Sequence, residues 1–225
     1  MFPRAVICVS GENPQEITHL IQKAEHETEA SIIEIRADYL QEKFLHLDTL
    51  MLFRQKSKRQ LILTIRIQKE GGHTKIDNQL RKKLFLDAIA LGYDYIDIEE
   101  SSDKELINEL INNRGNASII LSYHNFNEMN ELKIESKIES MKKFNPDIMK
   151  IVMTAQNYTD NLIIEKILRK YGNSVPLLTC FCLGEIGKES RIKGHTLGNV
   201  LTYISLNENT STAAGQLTYS EFLMI

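Results

Sequence analysis

SIILSYHNFNEMNELKIESKIESMKKFNPDIMKIVMT, residues 118–154, holds one full turn of the pattern that runs through this chain. Its ends, SIILSYHNF (118–126) and IMKIVMT (148–154), are short apolar runs rich in β-branched residues and read as strands. The segment from Glu131 to Lys143 is charge-rich, yet Leu132, Ile134, Ile138 and Met141 keep a helical stripe. It reads as a solvated helix, not as disorder.

The same alternation continues outward in both directions. Upstream lie AVICVS (5–10), SIIEIRAD (31–38), LILTIRI (61–67) and YIDIE (95–99), and downstream LLTCFCL (177–183) and VLTYISL (200–206). Amphipathic stretches such as PQEITHLIQKAEHE, NQLRKKLFLDAIALG, DKELINELINNR and NYTDNLIIEKILRKYG separate them. Pro14 suits a first helical turn, Thr159 or Asp160 a cap, and Gly92 and Gly172 left-handed helix ends. A strand followed by a helix, eight times over with no Pro-, Gly- or Ser-rich linker, predicts one domain over residues 1–225, a parallel (β/α)8 barrel of the TIM type. A doubly wound open sheet shares the alternation but needs fewer strands and a phosphate loop after the first. Here the first strand runs into GENPQ, and neither G-x-G-x-x-G nor G-x-x-x-x-G-K-[ST] occurs.

Composition narrows the class. The chain has 225 residues, 42% hydrophobic and 25% charged, enough apolar material for a sizeable core. Its 27 basic and 30 acidic residues give a net charge of −3, which points to neither a nucleic-acid nor a membrane partner. The start, MFPRAVICVS, has too short an apolar stretch for a signal peptide, and no run approaches a membrane span. The three cysteines, Cys8, Cys180 and Cys182, all sit in apolar runs, so a reducing cytoplasm is expected. Cys180 and Cys182 share a strand face but lack further ligands, and read as small buried residues instead of a metal site. No histidine pair has metal-ligand spacing; His19 and His26 read as surface residues of the first helix.

Charges that interrupt barrel strands are the informative feature, because a covered parallel strand should be nearly all apolar. Glu34 and Arg36 share one face of strand 2, with Ile33 and Ile35 facing the helices. Arg66 ends strand 3 and is followed by Lys69 and Glu70; His124 ends strand 5; Lys150 interrupts strand 6. Each has a bland reading. A strand lysine is usually exposed at a sheet edge, a strand-end histidine is usually structural, and Glu34 with Arg36 makes an ordinary core ion pair. Gathered at the same ends of strands 2, 3, 5 and 6, where barrel enzymes carry their chemistry, they read as an active site. A lysine lowered by burial and neighbouring cations is a nucleophile toward a ketone, and the iminium it forms acidifies the adjacent C–H. A histidine can move that proton, and arginines can hold a carboxylate. That set describes a Schiff-base lyase acting on a small anionic keto compound. Its rivals are another class I aldolase-like barrel, on a keto acid or sugar phosphate, and a barrel that only binds.

EIRADYL (34–40), TIRIQKEGG (64–72), YIDIE (95–99), SYHNF (122–126), DIMKIVM (147–153), GEIGKESRI (184–192) and STAAGQL (211–217) occur in order along the whole chain. With these landmarks the sequence resembles the type I 3-dehydroquinate dehydratases of the shikimate pathway. The resemblance implies Lys150 as the Schiff-base lysine, His124 as general acid/base and Glu70 as the carboxylate that orients it. It implies Glu34, Arg36 and Arg66 as contacts to the substrate's hydroxyls and surroundings, and Arg191 as the clamp on its carboxylate. Gln216 and Thr212 would belong to the loop that closes the site, and Ser10 would be a further contact. The implied reaction is syn elimination of water from 3-dehydroquinate to 3-dehydroshikimate, without metal or organic cofactor, in a homodimer. Two stretches depart from the family. The run from Thr212 to Gln216 lacks the proline found there, which predicts a less pre-ordered loop, and Asn127-Glu128-Met129-Asn130 replaces Thr-Pro after the histidine strand.

Overall fold

Residues 4–225 are described in a computed structural model, so Met1, Phe2 and Pro3 of the segment judged too short for a signal peptide lie outside the described residues. Strands and helices alternate as β1 (Arg4–Ser10), α1 (Pro14–Glu27), β2 (Ile32–Arg36), α2 (Leu47–Lys56), β3 (Gln60–Thr64), α3 (Asn78–Ala90), β4 (Tyr95–Glu99) and α4 (Lys104–Asn112). They continue as β5 (Ser118–Asn125), α5 (Glu131–Lys142), β6 (Ile148–Thr154), α6 (Asp160–Tyr171), β7 (Leu177–Leu183), α7 (Lys188–Leu197) and β8 (Leu201–Ser205). The two-residue β9 (Leu217–Thr218) and one helical turn, α8 (Tyr219–Phe222), end the chain.

All pairings are parallel, in the order β7-β6-β5-β4-β3-β2-β1-β8-β9. The two ends of this sheet meet. Val200 N–H donates to Leu178 O at 3.2 Å, and Leu201 N–H donates to the Thr179 hydroxyl at 3.1 Å, which joins the starts of β7 and β8 and closes the barrel. Farther along, β8 has β1 on one edge, so β9, opposite Ile204 and Ser205, must lie on the edge that faces β7. Just past β7, Gly184 N–H donates to Ala214 O at 3.0 Å. Residues 211–218 therefore form a wedge in the seam between the tips of β7 and β8. Gly215 has φ +68°, and a Cβ there would collide with the Gly184 carbonyl oxygen, so only glycine lets the wedge seat.

Strand alternation sorts the side chains into two layers. Ile7, Ile33, Ile35, Leu63, Ile98, Leu121, Met149, Ile151, Cys180 and Cys182 point outward to the helices in one large cluster. Both cysteines are thus buried apolar filler of that layer. Val6, Ile32, Ile62, Tyr95, Ile120, Ile148 and Leu201 pack inside the barrel with Cys8, Val152, Phe181 and Tyr203. Burying apolar side chains at about 25 cal/mol per Å2 is what drives both layers together.

Local expectations fare unevenly. Pro14 opens α1, capped by Asn13, whose side chain accepts from Glu16 N–H at 3.0 Å. Gly92 is left-handed at φ +79°, but Gly172 is not. A Cβ on Gly172 would come within 3.2 Å of Gly198, so its role is close approach of the ends of α6 and α7. Thr159 makes no side-chain cap; Asp160 instead accepts from Gln156 N–H (2.6 Å) and Asn157 N–H (3.2 Å) in the preceding turn. Among the described residues no helix is long and apolar enough to cross a membrane.

Candidate active site

Nine of the ten residues singled out in the sequence line one cavity of about 400 Å3 at the C-terminal end of the barrel strands: Glu34, Arg36, Arg66, Glu70, His124, Lys150, Arg191, Thr212 and Gln216. Ser10 ends β1 opposite Arg36 and does not line it.

At the centre is Lys150, 5% exposed, held inward by its place on β6 between the outward Met149 and Ile151. Its Nζ lies 2.9 Å from Asp97 Oδ2 and 3.5 Å from Glu34 Oε1. The groups nearest the amine are therefore carboxylates, not the cations expected from sequence. The Tyr203 ring lies beneath it, with Nζ 3.9 Å from the ring centre. Glu34 also accepts from the Thr64 hydroxyl at 2.7 Å.

Around this amine runs a buried ion network. Arg66 Nη1 lies 3.0 Å from Asp97 Oδ1, and it donates to Glu99 Oε1 at 2.9 Å and to Ser122 Oγ at 2.6 Å. Glu99 is held from behind by Arg81 of α3, whose Nε also donates to Ile65 O at 2.8 Å. Burial works against ionisation of Asp97, but Arg66 and Lys150 outweigh it and hold Asp97 well below the usual carboxylate range. Arg36 is likewise committed: Nε and Nη2 donate to Asp38 at 2.9 and 2.8 Å as a bidentate pair.

His124 stands two residues beyond Ser122, which pairs with Lys150 in register. Glu70, in the 3-10 turn Gln68–Glu70, accepts from His124 N–H at 2.9 Å and lies 3.1 Å from its Nδ1. Its other oxygen accepts from the Ser101 hydroxyl. Burial, then the charges of Arg66 and Lys150, push the imidazole well below its ordinary value, so it is neutral at neutral pH. Burial raises the Glu70 carboxyl above its ordinary value.

Arg191 of α7 differs from the other cations. Only 3% exposed, it lies over the Phe181 ring at 4.1 Å and makes one long bond, to Tyr203 O at 3.5 Å. Among the described residues its Nε and Nη2 have no hydrogen-bond partner, and burial holds its pKa down to about 10. A buried cation without a counter-ion is costly, and a ligand carboxylate reaching both nitrogens would remove the cost. Opposite, Gln216 Oε1 accepts from Thr212 N–H at 2.8 Å and from its hydroxyl at 3.3 Å. These bonds, with Gly184 to Ala214, hold the final loop without the missing proline.

The arrangement is a covered amine, a neutral imidazole backed by a carboxylate, and one unpaired guanidinium, in a cavity sized for a small molecule. The family profile described as Type I 3-dehydroquinase matches residues 5–225. The chain belongs to that family. A 3-dehydroquinate dehydratase from Streptococcus suis is 30% identical over 222 residues, spanning 96% of this chain and 95% of the relative. A solved 3-dehydroquinate dehydratase from Aquifex aeolicus matches with TM-score 0.80 and 28% identity, over 98% of this chain and 96% of its own. The structure of another, from Geobacillus kaustophilus, has TM-score 0.91 at 18% identity, covering 99% and 89%, and bears on the fold alone.

Within this dehydroquinase-family site, sequence reading passed over Asp97, Glu99, Arg81, Phe181 and Tyr203. Asp97 and Glu99 stood in the quoted YIDIE, two apart like Glu34 and Arg36, and the same alternation would have found them. Arg81 falls in an Arg-Lys-Lys run that reads as solvated, and nothing in the sequence marks it as buried.

Proposed function

We propose that this chain is a single catalytic domain that dehydrates 3-dehydroquinate through an imine on Lys150. One observation carries the reading: a buried amine on β6 shares a cavity with the His124–Glu70 pair and with Arg191, whose Nε and Nη2 have no hydrogen-bond partner among the described residues. With the substrate carboxylate on Arg191, the ring ketone comes over Lys150. The ammonium passes one proton to His124, the amine adds to the carbonyl carbon, and His124 returns the proton to the carbinolamine hydroxyl as it leaves as water, which gives the iminium and a neutral His124. His124, kept neutral by burial and by Arg66, takes the proton from the adjacent carbon while the C–H electron pair moves toward nitrogen. The enamine then expels the β-hydroxyl, which leaves as water with the proton His124 has just taken. Hydrolysis of the product iminium returns Lys150 and 3-dehydroshikimate.

Glu34, Arg36 and Arg66 surround the cavity with polar groups already fixed by Thr64, Asp38, Asp97 and Glu99, suited to a ligand rich in hydroxyls. No step calls for a metal or organic cofactor. The family likeness supports a homodimer in the cytoplasm and a biosynthetic role.

The test is intact-protein mass spectrometry after incubation with 3-dehydroquinate and borohydride, followed by peptide mapping. One reduced-ligand adduct on Lys150, absent in Lys150→Ala, is expected. A folded protein that gives no adduct would remove the imine and leave the fold and family as they stand.

A further inference from the structure

Lys150 Nζ has three neighbours: Asp97 at 2.9 Å, Glu34 at 3.5 Å and the face of Tyr203 at 3.9 Å. Asp97 takes an N–H hydrogen bond and Glu34 makes an ion pair, and an ammonium has three N–H groups to give. A protonated imine has one, because its nitrogen is bonded to the lysine carbon and doubly to the ligand. Forming the imine therefore leaves the nitrogen a single N–H for its carboxylate neighbours while its positive charge stays. A ring face attracts that charge through its quadrupole and needs no N–H. The hold of the ring, unlike the Asp97 hydrogen bond, therefore does not depend on how many N–H groups the nitrogen keeps.

The ring is built to stay where it is. Tyr203 is 4% exposed on the inner face of β8 and packs against Phe181, ring centres 6.1 Å apart. Its hydroxyl is buried without a hydrogen-bond partner, so no polar contact fixes the side chain; packing does. Phe181 in turn carries Arg191 on its face at 4.1 Å. Two touching rings thus each bear one of the cations facing the cavity.

We infer that Tyr203 is a catalytic residue whose ring face stabilises the positive charge on the Lys150 nitrogen in the iminium. This rests on the imine reading above. The ring lowers the energy of the charged covalent intermediate relative to the neutral amine and carbinolamine that precede it, so it raises the fraction of enzyme held as iminium; the transition state for proton abstraction keeps part of that charge and part of the gain. The hydroxyl takes no part.

The test keeps the shape of the side chain and drains its face. Tyr203→Phe is compared with proteins carrying 4-fluoro-, 3,5-difluoro- and 3,4,5-trifluorophenylalanine at position 203. The readouts are kcat and the fraction of Lys150 trapped by borohydride during turnover of 3-dehydroquinate. Referred to Tyr203→Phe, log kcat should fall stepwise with fluorine, to roughly a tenth at three fluorines. Trapping should fall in parallel. A flat series in a protein whose parent form gives the Lys150 adduct would overturn the role of the ring and leave the imine intact. A collapse on Tyr203→Phe alone would overturn it too, by making the hydroxyl the working part. No adduct in the parent protein would overturn both readings.

Discussion

A single oxygen of Glu70 holds both the main chain and the ring of His124, at 2.9 Å from its N–H and 3.1 Å from Nδ1. That double contact fixes the imidazole's orientation and places the proton on Nδ1, so Nε2 is the free base. Glu70→Gln keeps an acceptor of the same shape and removes the charge that steadies a developing imidazolium. We expect kcat to fall roughly 10- to 100-fold, part of the ~10²–10⁴-fold that positioned proton transfer supplies, with KM little changed. Steady-state kinetics decide it; an unaltered kcat would take Glu70 out of the mechanism.

The pH dependence follows from the same imidazole. Burial, then Arg66 and Lys150, depress the His124 pKa, so the acid limb of kcat/KM should lie below the ordinary value of about 6.5. Stability carries the same sign. Below about pH 6.5 an unfolded chain binds a proton at this histidine that the folded chain refuses, so unfolding gains as pH falls toward the folded pKa. The contribution is complete above that window. Urea unfolding at about pH 7.5 and 5.5 should show a drop that is smaller in His124→Asn; equal drops would place the effect elsewhere.

Arg191 should show function and stability pulling apart. Arg191→Met removes a buried cation with two unpartnered nitrogens. Loss of a charged pair with a ligand carboxylate, about 1.5–3 kcal/mol, should raise KM on the order of 10- to 150-fold. The free protein should melt a few degrees higher, since removing an uncompensated buried charge is favourable. A lower Tm with unchanged KM would mean that Arg191 is structural.

Much of this was legible because barrels impose a simple rule on sequence. Eight apolar runs marked β1 to β8, and charges that broke them, such as Glu34, Arg36 and Lys150, marked the inward face at the active end. β9 escaped because two residues carry no periodicity. Phe181 and Tyr203 escaped because an aromatic in a strand looks like core filling, and it is their cation partners, distant in sequence, that give them another part to play. The charge state of the lysine's surroundings was misjudged for a related reason. Arg36 and Arg66 were visible as cations, while Asp38, Asp97 and Glu99, which neutralise them, went unweighed.

Barrel closure can be tested at one residue. Thr179 is fully buried, and its hydroxyl accepts from Leu201 N–H beside the Val200–Leu178 bond and the two bonds that tie the Asn199 side chain to Cys180. Thr179→Val, nearly equal in shape, leaves that N–H unsatisfied and should cost about 1–3 kcal/mol in denaturant unfolding. With kcat unchanged, the residue is a clasp; a loss of activity at full stability would make it part of the site.

The wedge of residues 211–218 gives the seam a second meaning. Gln216 and Thr212 line the cavity, yet the segment that carries them stands where the pairing of β7 with β8 has run out. The segment that completes the seam and the segment that lines the cavity are therefore one, tied down at Gly184, Ile204 and Ser205. Hydrogen exchange at the Gly184 amide therefore reads how firmly the barrel seam and the edge of the cavity are seated together.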